Sequence, residues 1–205
     1  MSQSLWDRIE EARASRNVLE HPFYVRWSAG ELSREELARY SGQYRHATEA
    51  IARLSSAAAE AAPEADRAAL RRHAGEEASH VALWDGFVEA VGGEIGAEPT
   101  PETRDCVAAW TADDGFLSAL ARLYAIESGQ PAISTTKREG LATHYGLGDG
   151  PGTEYFLLHQ ELDREHAEHG RGLLERHLDG ADTDRLVAAA EGAFRANWRL
   201  LDGVS

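Results

Sequence analysis

Two windows of the chain hold the residues best suited to chemistry. In HQELDREH, His159, Asp163 and His166 stand at i, i+4 and i+7; in HAGEEASH, His73, Glu77 and His80 repeat that spacing. At roughly 100° per residue, such a triplet falls within about 60° on one face of a helix. Each window therefore points imidazoles and a carboxylate into one small volume. That nitrogen and oxygen mixture suits iron, manganese or zinc, and hard oxygen donors favour a redox iron or manganese role. Three polar residues on a charged helix are more often a solvated face, so the argument needs more than one triplet. Glu127 supplies it, following Leu120, Leu123 and Tyr124 by seven, four and three residues and so lying on an apolar stripe. A carboxylate there needs a charged partner or a metal; an ion pair with Arg122 is the alternative. Two helices carrying the triplets and a third carrying Glu127 match the arithmetic of carboxylate-bridged dinuclear sites in helix bundles.

The other candidates are weaker. His169 and His177 fall away from the triplet face and read as surface residues or supports of the ligands. His46 and Glu49 lie mostly opposite the Tyr40–Tyr44–Ile51 stripe, and Cys106 reads as a small buried hydrophobe.

The elements that must position these groups are helical throughout. A first helix is expected from about Leu5 to Glu20, stopping before His21-Pro22. A short turn carries Phe23, Tyr24 and Trp27. Ser33 with Glu36 forms a capping box for a helix whose apolar stripe is Leu37, Tyr40, Tyr44, Ala47, Ile51 and Leu54. A long helix runs from Pro63 to Val91 and ends at Gly92-Gly93. Thr100-Pro101 and Pro131 mark two further starts, with the all-round apolar 116–127 between them. GLGDGPG at 146–152 reads as a loop, Thr153 caps a long helix to about Leu178, and Asp182–Leu201 forms the last. Strand-period runs do not accumulate. The reading is all-α: residues 1–205 as a single compact domain of seven to eight helices.

Composition bounds the function. With 205 residues, roughly 70% of the unfolded surface can be buried without staples. A formal net charge of −14 argues against nucleic acid or an anionic membrane as the main partner. A lone cysteine, no apolar signal segment and no bilayer-length apolar run point to a cytoplasmic protein. GxGxxG, P-loop, GxSxG and CxxC motifs are absent.

Three segments in order, HPFYVRWSAGELSREELARYSGQY, LYAIESGQPAISTTKREGLATHYGL and EYFLLHQELDREH, resemble the CADD family of the haem-oxygenase-like, PqqC/TenA-like superfamily. The likeness runs from about residue 19 to 175. It implies a haem-oxygenase-like bundle and a non-haem dinuclear iron, or iron–manganese, oxidase or oxygenase that uses O2 and an external reductant. It places His80, Glu127, His159, Asp163 and His166 on metal-ligand positions. The family usually has a glutamate seven residues before the first-half histidine, where this chain has His73; some relatives use one three residues before it, which Glu77 matches. Glu77 is the chosen ligand and His73 stays open. The resemblance also implies a tyrosine of the protein consumed to make p-aminobenzoate, with a lysine assisting or supplying nitrogen. Tyr24 and Lys137 match those positions, and Tyr40 and Tyr155 match family tyrosines. The residue before Glu127, often tyrosine in that family, is Ile126 here.

The expected function is thus a dinuclear oxidase acting on its own tyrosine, or on an external amine or amino-acid-like small molecule. A metal-free PqqC/TenA-like enzyme and a non-enzymatic binding protein are the alternatives. A homodimer is the expected assembly.

Overall fold

Helix starts in this chain are written by local capping chemistry. The computed structural model describes residues 4–205; residues 1–3 of the expected domain lie outside it. Ser4 and Asp7 form a capping box for α1 (Leu5–Ser15). A single 3-10 turn, Val18–Glu20, replaces the expected last turn of that helix. The aromatic turn is in fact a helix, α2 (Pro22–Ala29): Pro22 at its first position costs no hydrogen bond, and the His21 ring accepts from the Phe23 N–H at 3.1 Å. Ser33 and Glu36 cap α3 (Arg34–Ala61) as expected, and its stripe from Leu37 to Leu54 is buried.

α4 (Glu64–Ala90) follows after Ala62-Pro63 and packs along α3. The buried face of α4 interleaves Leu70, His73, Glu77, His80, Trp84 and Phe87. The histidine triplet therefore lies on the core stripe of α4. α5 (Pro101–Trp110), α6 (Phe116–Glu127), α7 (Gln130–His144), α8 (Glu154–His159), α9 (Leu162–Arg176) and α10 (Thr183–Asp202) complete the bundle. α6 is buried from Ser118 to Glu127, flanked by α3, α9 and α10, which is why it is apolar on all sides.

The all-α class holds, with more segments than the expected seven or eight. One addition is α2. The other comes from Gln160–Glu161, which divides the expected long helix after His159. There the N–H groups of Glu161 and Arg164 reach back three residues, to Leu158 and Glu161, instead of four. Among the described residues no helix is long and apolar enough to cross a membrane.

α7 is held close to α2 by Gly140. A Cβ there would lie 2.5 Å from Trp27 Nε1, and that indole N–H donates to the Lys137 carbonyl at 3.2 Å. This contact fixes the height of Lys137 against the α2–α3 aromatics.

Candidate metal centre

α4, α6, α8 and α9 bring seven buried donors to one place: His73, Glu77, His80, Glu127, His159, Asp163 and His166. Their ligand atoms form three overlapping triples, each within 4.8 Å: His73/Glu127/His166, Glu77/His80/His159 and Glu77/Asp163/His166. Glu77 Oε1 is the hub, 3.2 Å from His80 Nδ1, 3.6 Å from His166 Nδ1 and 3.8 Å from His73 Nε2. His73 Nε2 stands 3.0 Å from Glu127 Oε1, and His166 Nδ1 is 3.7 Å from Asp163 Oδ1. All six expected ligands thus converge. His73, open in the sequence, joins them. The alternative partner for Glu127 is taken, because Arg122 clasps Asp114 at 2.5 and 2.6 Å.

Two of the four imidazoles, His159 and His166, have their outward ring nitrogens tied down. His159 Nδ1 donates to the Tyr155 carbonyl at 2.6 Å, leaving Nε2 as a lone pair inside the cage. His166 Nε2 donates to Glu76 at 3.2 Å, leaving Nδ1 facing Glu77 and Asp163. Such outer hydrogen bonds select the tautomer a metal requires. The Tyr155 ring also stacks on His159 at 3.8 Å and 19°.

Electrostatics mark the cage as short of positive charge. Burial, then the neighbouring Glu127 and Glu77, hold the Asp163 carboxyl well above the usual carboxylate range. Burial also raises Glu127, against the pull of His73. Burial pushes Glu77 up too, but the His80, His159 and His73 imidazoles outweigh it and the net shift is downward. Burial drives His159 down to about 4, so its ring is neutral at pH 7. Eight cage atoms have no hydrogen-bond partner: His73 Nε2, Glu77 Oε1, His80 Nδ1, Glu127 Oε1, His159 Nε2, both Asp163 oxygens and His166 Nδ1. Buried polar atoms are rarely left so. Four imidazoles and three carboxylates with inward lone pairs fit one or more divalent transition ions in this donor chemistry.

Beside the cage lies a second cluster. Tyr24 and Tyr40 are buried with their hydroxyls 2.9 Å apart, and burial is the main cause raising both phenols. Lys137 is fully buried with no hydrogen-bond partner for Nζ, which sits 4.5 Å from the Tyr44 ring centre, 5.1 Å from Trp84 and 5.8 Å from Tyr24. Burial brings its amine down to about 7. Rings in contact join the clusters: Tyr155 stacks on His159, Trp84 meets Tyr155 at 4.9 Å, and Tyr40 meets Trp84 at 6.0 Å.

Sequence reasoning missed Gln130 and Ser134, which share with Lys137 the buried face of α7; Gln130 donates to the Tyr44 hydroxyl at 3.2 Å. The signal was present, since 130, 134 and 137 repeat the i, i+4, i+7 spacing of the histidine triplets. Glu76 was also missed; an exposed acid beside Glu77 carries no mark of its contact with α9. His169 is exposed and His177 pairs with Asp66 at 2.8 Å, both as expected. His46 binds the Ala97 carbonyl and Cys106 is buried, its thiol raised by burial.

Comparison with known proteins gives the family and the fold. Residues 38–198 match the family described as iron-containing redox enzymes. A 4-aminobenzoate synthase of Nitrosomonas europaea is 31% identical over 220 residues, covering 96% of this chain and 89% of that protein. One from Chlamydia trachomatis is 31% identical over 208 residues, covering 96% and 90%. In fold, the chain is similar to a domain with a heme oxygenase-like fold from Shewanella denitrificans, at TM-score 0.82 and 19% identity, covering 100% of this chain and 93% of that one. A TenA homologue from Pseudomonas syringae aligns at TM-score 0.85 and 16% identity, over 98% and 90%.

Proposed function

Because this chain belongs to the family of iron-containing redox enzymes, we propose that it is a dinuclear non-haem oxidase that forms 4-aminobenzoate from its own tyrosine. The observation that carries the reading is the cage of seven buried donors whose ligand atoms converge in three overlapping triples. Glu77, His80 and His159 would hold one ion and His73, Glu127 and His166 another, with Asp163 grouped with Glu77 and His166 beside them. Two irons, or iron with manganese, would supply O2-driven one-electron oxidation there, fed by an external reductant.

The protein's own groups do the rest. Tyr24 is the phenol to be consumed, and the hydrogen bond to Tyr40 gives its hydroxyl proton an acceptor 2.9 Å away. The Tyr155, Trp84 and Tyr40 rings link that phenol to His159 by contact. Lys137, whose amine burial brings down to about 7, supplies or positions nitrogen from inside the aromatic cluster. Phe156, Phe87 and Trp84 keep water from these groups. We place the enzyme in the cytoplasm, in line with its unpaired, buried Cys106.

A second reading keeps the centre but oxidises an external amine or amino-acid-like substrate. Ile126, standing where the resembling family often has tyrosine, favours it. Chain loaded with iron and given O2 and reductant, with no other substrate, separates the two. Self-consumption predicts at most one 4-aminobenzoate per chain, a mass loss mapped to Tyr24, and none from Tyr24→Phe. Full product from Tyr24→Phe removes the self-consuming reading.

A further inference from the structure

A cavity of about 290 Å³ between α1, α6, α7 and α10 has no part in that chemistry. Its walls include Val18, Trp110, Ile126, Ile133 and Phe194, all buried. Arg13 lines it, and also lines a neighbouring cleft of about 260 Å³ that has Asp163, Tyr124, Arg164 and Arg171 on its sides. Arg13 thus stands between this chamber, apolar on the side of α6, α7 and Phe194, and a cleft that has Asp163 on its wall.

The polar groups favour an anion. Although the chain carries 14 excess negative charges, Arg13 and Arg16 line the chamber against the single acid Glu10, and Arg13, Arg164 and Arg171 line the cleft beside Asp163 and Glu168. Arg13 meets half-exposed Glu10 at 3.2 Å and the Ser128 hydroxyl; its buried Nε has no hydrogen-bond partner. Its guanidinium lies 5.8 Å from the Phe194 ring centre and 6.0 Å from that of Tyr124. Guanidinium forks match carboxylates, and apolar walls beside one suit a flat ring. The chamber lies at the small end of ligand pockets, which begin at roughly 300 Å³. It suits a single ring.

We propose that this chamber binds a small aromatic monocarboxylate of the benzoate class, with the ring between Ile126, Ile133 and Phe194 and the carboxylate on Arg13. That this ligand is the reaction's own product rests on the function proposed above; the binding itself does not.

The test is calorimetric titration of the full chain, before metal loading, with 4-aminobenzoate and with aniline, which has the ring without the carboxylate. Saturable one-to-one binding is expected, weakened about tenfold or more for aniline and for Arg13→Gln. Arg13→Lys, which keeps the charge but loses the fork, should fall between them, and equal thermal melting of the variants shows that folding is intact. Should Arg13→Gln unfold, Arg13→Lys and aniline still decide. No saturation up to about 10 mM, equal binding of aniline, or unchanged affinity in both variants overturns the site. A chain that takes up no iron but binds 4-aminobenzoate through Arg13 removes the proposed function and keeps this site. A chain that forms product but fails the titration does the reverse.

Discussion

Lys137→Met isolates the strangest group in the core. The wild-type amine is wholly buried among rings, and burial lowers its pKa from 10.5 to about 7. Between those two values the unfolded chain holds a proton that the folded chain lacks. Wild-type stability should therefore rise with pH across that window, since the unfolded state binds more protons. At about 1.4 kcal/mol per pH unit, the full penalty is about 5 kcal/mol, complete at pH 7 and below and gone above 10.5. Methionine is unbranched and fills similar space for about 1.5 kcal/mol or less. Metal-free Lys137→Met should thus be the more stable protein at pH 6, by about 3 to 5 kcal/mol. Its advantage should shrink by about 1.4 kcal/mol per pH unit from 7 towards 10. Urea unfolding at each pH, fitted with equal slopes, measures this difference, and titrations common to both proteins cancel. A difference that stays flat from pH 6 to 10 refutes the buried amine. So does a variant less stable than wild type at pH 6.

Two further substitutions read the supports of the site. Glu76→Gln keeps a partner for His166 but removes the carboxylate that orients it; metal affinity measured against a competing chelator should fall about 10- to 100-fold, with folding unchanged. Gly140→Ala puts a methyl against the Trp27 indole; thermal unfolding should show a loss of about 1 to 3 kcal/mol, and an unchanged midpoint would show that α2 and α7 do not touch there.

The parts of the fold legible in the sequence were those decided within one helix. The α3 stripe from Leu37 to Leu54 and its Ser33–Glu36 cap are matters of periodicity and a local hydrogen bond. Glu127 was legible for the same reason, as a carboxylate on a stripe that has to be buried. The break at Gln160–Glu161 was not, because neither residue is a helix breaker; it lies between His159 and Asp163, where the cage is served by two helices. The convergence of Lys137 with Tyr24, Tyr40 and Tyr44 depends on how α2, α3 and α7 pack, which no single window contains. His73 fell between these cases. Its spacing marked it, but only the position of Glu127 across from α4 shows what it faces.

Elemental analysis of the chain after anaerobic loading with ferrous and manganous ions, followed by desalting, bears most directly on the cage. The account predicts close to two ions per wild-type chain, falling to one or none in His166→Ala. Protein that emerges without metal, or His166→Ala that retains the wild-type stoichiometry, would contradict it.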